Sequence, residues 1–253
     1  MLKRSFESGG LTVQSQRTAS KIHARRRTTL ILLAGIVGFS STAHASEIDT
    51  LLFGSLDAGG DTFLTLGAKV GLTSLAQEGF VALATVGGGR RTESGADGPR
   101  ARYTVAAAAL AGHQWFFDWG VVAAYAGLET TSEMLIAGPT RDALPTRFGL
   151  RLHGEVWARP TAATLLQATA VAGSARDSLW ARLAWGYRLW ETYLGPEAAL
   201  YTDATGYAKW SLGLHGTDFA LGRYSLRASV GLQTESRRAR ACPYVTLSVW
   251  SPL

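Results

Sequence analysis

Few residues in this 253-residue chain could do covalent or metal chemistry. Beyond residue 45 the histidines are His113, His153 and His215, each in a different segment. They have neither close nor helical spacing, so no metal site is expected, and hydrogen bonding inside the fold is the expected role. A Ser/His/Asp hydrolase could draw on His153 or His215 and a nearby serine. No nucleophile-elbow pattern accompanies either one. Cys242 is the one cysteine, which excludes an internal disulfide framework and a Cys-rich metal site. The run Gly87-Gly88-Gly89 lacks a following helix and a Lys-Ser/Thr ending, so it is no phosphate loop. It reads as a β-turn or bulge, and Arg90–Arg100 behind it as an exposed, charged loop. No cofactor is expected.

The charged side chains in mid-segment are more informative. Arg147, Arg151, Glu155, Arg182, Arg188, Glu197, Lys209 and Arg227 share one parity of an alternating pattern, and Trp157, Trp180 and Trp190 fall on the same parity. Of 18 basic residues after position 45, 16 are Arg. The planar guanidinium fork binds carboxylates in a bidentate manner. Two uses follow: an Arg–Glu lattice that braces an interior, or a surface that touches a saccharide or an ion. An uncomplexed glucan is neutral, so contact with one would rest on hydroxyl hydrogen bonds and tryptophan stacking.

The elements that carry these residues are written in period two. In Arg147–Arg159, Phe148, Leu150, Leu152, Gly154, Val156 and Ala158 oppose Arg147, Arg151, His153, Glu155 and Trp157. A strand sends successive side chains to opposite faces, giving one apolar and one charged wall. The alternation recurs in 62–72, 179–190, 208–216 and 223–233, and more faintly in 50–58, 80–90, 101–115, 119–129, 163–173, 193–203 and 242–250. Most are about ten residues long, the length of a bilayer-spanning strand. Ten or twelve strands fit the length, and twelve is expected, with short turns alternating with longer loops such as 91–100 and 130–146.

The +6 net charge does not bear on that segment. Seven basic residues and one acid precede position 46, so residues 46–253 balance 18 basic against 18 acidic side chains. A nucleic-acid partner therefore loses its support. The basic stretch 1–27, the apolar run Thr28–Phe39 and the small-x-small site Ala43-His44-Ala45 form a secretory signal peptide, 1–45. Residues 46–253 then form a single domain.

A soluble β-sandwich alternates too, but three features favour lipid. Aromatic residues cluster at segment ends: Trp115, Phe116, Phe117 and Trp119, then Trp180, Trp190, Tyr193, Tyr201 and Tyr207, as interfacial girdles would. Long charged side chains occupy mid-strand positions on the non-apolar face, which suits a wet or ion-paired lumen. Gly and Ala are frequent within the strands. The expected fold is an all-β, antiparallel, transmembrane β-barrel in the outer membrane, with bilayer lipid as its surroundings.

The segments LFGSLDAG (52–59), ADGPR (96–100), RFGLRLHGEVWARPT (147–161), SARDSLWARLAWGYRLW (174–190) and GPEAALYTD (195–203) together resemble the BcsS-type cellulose biosynthesis proteins of Gram-negative bacteria. The similarity spans essentially everything after the leader, and none of its parts is a catalytic motif. It implies an envelope-located accessory role, with cellulose or other cellulose-synthesis components as partners, and no catalytic activity is expected of the chain itself. A narrow solute pore is the alternative, and a barrel enzyme acting on lipid or glycan a more distant one.

Overall fold

The computed structural model describes residues 49–95, 98–236 and 240–253. The expected signal peptide lies outside them. Thirteen strands follow in order: β1 (Thr50–Ala58), β2 (Thr62–Gly71), β3 (Gly79–Gly95), β4 (Gly98–Phe117), β5 (Gly120–Ala137), β6 (Thr140–Ala143), β7 (Arg147–Thr161), β8 (Thr164–Gly173), β9 (Ser178–Leu189), β10 (Thr192–Thr202), β11 (Ala208–Leu221), β12 (Tyr224–Glu235) and β13 (Cys242–Pro252). Each pairs antiparallel with its neighbours, β4 with β5 and β1 with β13, so the sheet closes. Twelve strands make the ring. The thirteenth, β6, is a short flap that folds back on the end of β5. Closure satisfies every ladder and leaves no edge within the spanning region.

Alternation sets the two faces as the sequence indicates. Phe148, Leu150 and Leu152 on β7, Leu183 and Tyr187 on β9, and Leu212 and Leu214 on β11 all stand exposed on the outside. Their neighbours Arg151, His153, Arg182, Ser211 and His215 turn inward. An exterior this apolar, on strands of this length, is what hydrocarbon selects. Among the described residues no helix is long and apolar enough to cross a membrane.

Several expectations need correction. The segment behind Gly87-Gly88-Gly89 is not an exposed loop: β3 runs on to Gly95, and β4 starts at Gly98. The glycine run itself is neither turn nor bulge. It lies in regular register between β2 and β4, and Gly87 and Gly89 leave room for the ring of Phe63 to lie against the wall. Residues 130–137, expected in a loop, belong to β5. Length goes into strands that outreach their neighbours rather than into long loops.

We call the rim where β1 starts and β13 finishes the lower rim. Near it, one side of the interior is apolar. Val81, Leu83, Ala108, Leu110, Ala123 and Tyr125 form a buried cluster, joined by Phe53 and Leu75. Leu75 lies in the β2–β3 connection, which is tied into the mouth. Gln114, 1% exposed, donates its amide to the carbonyls of Leu75 (3.1 Å) and Gln77 (2.7 Å), and Asp49 accepts from Ser74 Oγ and Leu75 N. The interior is thus half apolar, where strand parity alone indicates a polar wall throughout.

Candidate functional site in the barrel lumen

The polar half of the lumen carries most of the ion pairs among the described residues. Arg227 on β12 reaches across to Gln167 on β8 and Glu197 on β10. Tyr244 on β13 donates its hydroxyl to Glu197 Oε1 at 3.1 Å. The register explains this reach. Glu197, Gly213, Gly231 and Tyr244 lie side by side on β10 to β13, and the two glycines clear the wall. A Cβ on Gly213 would stand 2.6 Å from the Tyr244 hydroxyl, and one on Gly231 2.8 Å from its ring. A second bridge joins β2 to β7: Lys69 pairs with Glu155 at 3.6 Å, and Glu155 also meets His153 Nε2 at 3.1 Å. Arg151 pairs with Glu129 at 3.7 Å. Lys209 pairs with Asp61 at 3.1 Å.

The remaining residues singled out by parity lie apart. Arg182 sits 5.6 Å from the Trp180 ring centroid. Arg188 is at the lower end of β9, where it bonds the Trp190 carbonyl and Glu191 in its own turn. Arg147 is exposed at the start of β7. Trp190, expected on the inner face, sits in an exposed turn with φ 54°. Trp157 does face inward. It meets Trp250 edge to face at 6.1 Å, across a ring in which β7 and β13 stand diametrically opposite.

The aromatic girdle is also redistributed. Trp115, Phe116, Phe117 and Trp119 are exposed around the β4–β5 turn as expected. Tyr193 and Tyr207 are buried instead, and Tyr201 turns its hydroxyl to Asp203. His113 faces outward, packed between Phe80 and Trp115 at 5.0 and 4.8 Å, so its expected lumenal role is corrected. His215 Nδ1 lies 2.9 Å from Thr217 Oγ1. Ser229 is opposite His215 in register, but its hydroxyl makes no hydrogen bond to that ring.

Among the described residues the largest ionic assembly involves none of those expected from parity. At the upper rim Glu93, Arg91, Asp203, Arg176, Glu133 and Arg102 form a closed cycle of alternating charge. Successive contacts are 2.8, 3.0, 2.7, 2.6, 3.1 and 2.7 Å. Their side chains are between 0 and 9% exposed. β3 and β10 stand opposite one another in the ring, so the cycle crosses the lumen. Arg91 also lies over the Tyr207 ring at 4.4 Å. Burial pushes the Asp203 carboxyl up, but the Thr205 hydroxyl, Arg176 and Arg91 more than offset it and hold it below the ordinary carboxylate range. Arg91 and Glu93 continue the inward parity of Gly87 and Gly89, a signal hidden by the turn-forming composition around it. Arg176 and Asp203 sit in turns, where alternation carries no information.

The chain matches the family described as "Cellulose biosynthesis protein BcsS" over residues 51–253. It belongs to that family. No curated protein matches the chain. Among solved structures it is similar to the KdgM porin, at 10% identity and TM-score 0.46, covering 79% of this chain and 98% of that one. It is also similar to the β domain of the Bordetella autotransporter BrkA, at 14% identity and TM-score 0.47, covering 81% and 98%. The translocator domain of the autotransporter NalP from Neisseria meningitidis matches at 12% identity and TM-score 0.46, covering 83% and 90%. In this BcsS-family chain the matched region takes in all of the described strands but Thr50 at the start of β1, and the lumenal ion pairs given above.

Proposed function

We propose that this barrel is a non-catalytic accessory of bacterial cellulose production, seated in the outer membrane after export by the 1–45 leader. Family membership over residues 51–253 carries the pathway. The apolar exterior of a closed barrel supports the location. The non-catalytic reading draws support from the lumen, where the polar side chains are mostly committed to one another: Arg227 to Glu197, Glu155 to Lys69, and six charges to the upper cycle. Cellulose or other synthesis components are the partners that fit the pathway. Contact with a neutral glucan would fall to hydroxyl-bonding groups and to Trp157 and Trp180.

Deleting the gene tests this. Extracellular cellulose should change in amount or texture while synthase activity in isolated membranes stays intact. Unchanged cellulose removes the pathway role, and lost synthase activity would make the protein part of the catalytic assembly. The reading as an open solute pore is less favoured, because the charge cycle crosses the lumen at one rim and Trp157 and Trp250 meet across it near the other.

A further inference from the structure

The upper charge cycle divides into two bodies. Four members sit on the wall: Arg91 and Glu93 on β3, Arg102 on β4 and Glu133 on β5. The other two come from turns, Arg176 between β8 and β9 and Asp203 between β10 and β11. These two turns are themselves joined, by the Arg176–Asp203 pair and by Ala204 N–H donating to the Arg176 carbonyl at 3.0 Å. They make one strap over the mouth. Across the cycle two ion pairs join strap and wall, Arg91–Asp203 and Arg176–Glu133, together with a 3.4 Å contact from Arg91 to Thr205 and the Arg91 guanidinium over the Tyr207 ring.

Charge divides at the same joint. The wall half of the cycle holds two buried arginines and two buried glutamates, already paired as Arg91–Glu93, Arg102–Glu93 and Arg102–Glu133, and the partly exposed Arg100 adds a further contact to Glu93 at 3.6 Å. The strap half holds one arginine and one aspartate, paired with each other. Breaking a buried ion pair is costly mainly because it strands an uncompensated charge. Parting at this joint strands none. In each body the buried charges balance and are internally paired, so the joint is the weak line of the cycle.

The seat of the strap is built for close docking. Ser174 exchanges hydrogen bonds with Leu150 on β7, and Ala175 N–H donates to Glu129 at 2.9 Å. Gly149 leaves the space beneath. A Cβ there would stand 2.6 Å from Ser174 Oγ and 2.9 Å from Ala175 Cα. Backbone cannot yield as a flexible side chain can, so any side chain at 149 lifts the turn.

We propose that the two turns form a hinged strap that latches across the upper mouth and parts from the wall along the Arg91–Asp203 and Arg176–Glu133 joint. This goes beyond the accessory role and does not depend on the cellulose assignment.

The test measures the joint itself. Spin labels are placed at Thr92 on the wall and Ala204 on the strap, both exposed, in a full chain carrying Cys242→Ser, and their separation is read by pulsed electron spin resonance. The parent should give one short distance. Asp203→Asn weakens the joint, and Gly149→Val lifts the strap with every charge in place. Each should add a second, longer distance. Asp203 lies in a turn, so that variant keeps the test alive if the strand substitution prevents folding. A distribution unchanged from the parent in the folded variants overturns the latch. The distance reads only strap and wall, so the outcome is independent of whether cellulose changes in the deletion strain.

Discussion

At the scale of single residues, the inner face separates charges that are held from charges that are merely near. Arg227 is 3% exposed and its carboxylate partner is Glu197. Glu197→Ala strands that guanidinium in a low-dielectric interior, where breaking a buried pair costs about 3–5 kcal/mol. Arg188, whose half-exposed side chain bonds within its own turn, is a different case. Arg188→Ala should cost at most ~1 kcal/mol, as exposed pairs do. Urea unfolding of the refolded barrel measures both, and equal losses would mean that burial does not rank these charges. Acid gives a second handle. The Asp203 carboxyl, outside the spanning strands, is held below the 3.8 of an ordinary aspartate. A depressed carboxyl stabilises the fold fully above its unfolded value, and that contribution is lost as pH falls through the lower folded value. Stability should therefore stay flat down to the ordinary aspartate range and drop beneath it. Asp203→Asn should lower the plateau and remove part of that acid step, which a pH series of unfolding midpoints would read.

At the scale of elements, period two made most of the barrel legible, and the misses have physical causes. Parity holds wherever a strand is regular, so Arg151, Glu155, Glu197, Lys209 and Arg227 point inward as their positions dictate. It fails at ends and turns. Trp190 has the right parity but falls just beyond β9, and Arg176 reaches the lumen from a turn that has no parity. Composition misled in the other direction: glycine, proline and charge around 90–100 resemble a loop, while hydrogen-bonded pairing carries β3 to Gly95. Parity also says nothing of how far a side chain reaches. Tyr244 meets Glu197 only because Gly213 and Gly231 lie flat between them. Tyr244→Phe should cost about 1.5–3 kcal/mol, the worth of a hydrogen bond to a charged group. Gly213→Ala should cost at least as much, because it displaces the same hydroxyl and crowds the wall as well. Combining the two should cost less than their sum, since both remove one interaction. Strict additivity in an unfolding cycle would show that the glycine does not act through the tyrosine.

At the scale of the whole molecule, one arrangement underlies the rest: leucines outward, arginines inward. In a soluble protein an exposed Leu212 would be an exposed leucine and little more, and surface substitutions generally stay within about 0.5 kcal/mol. On a lipid-facing wall the same position is governed by depth. An arginine at the bilayer midplane costs about 2–4 kcal/mol, falling to about 0–1 near the interface. Leu212 lies within β11 and is 69% exposed, and Leu221 ends the same strand at 65%. Their exposures are nearly equal, so only surroundings can separate them. Leu212→Arg should destabilise the barrel in vesicles by a few times more than Leu221→Arg, each read by the free energy of refolding. Equal small effects at both positions would place water around the wall, and the apolar exterior would then need a protein partner to cover it.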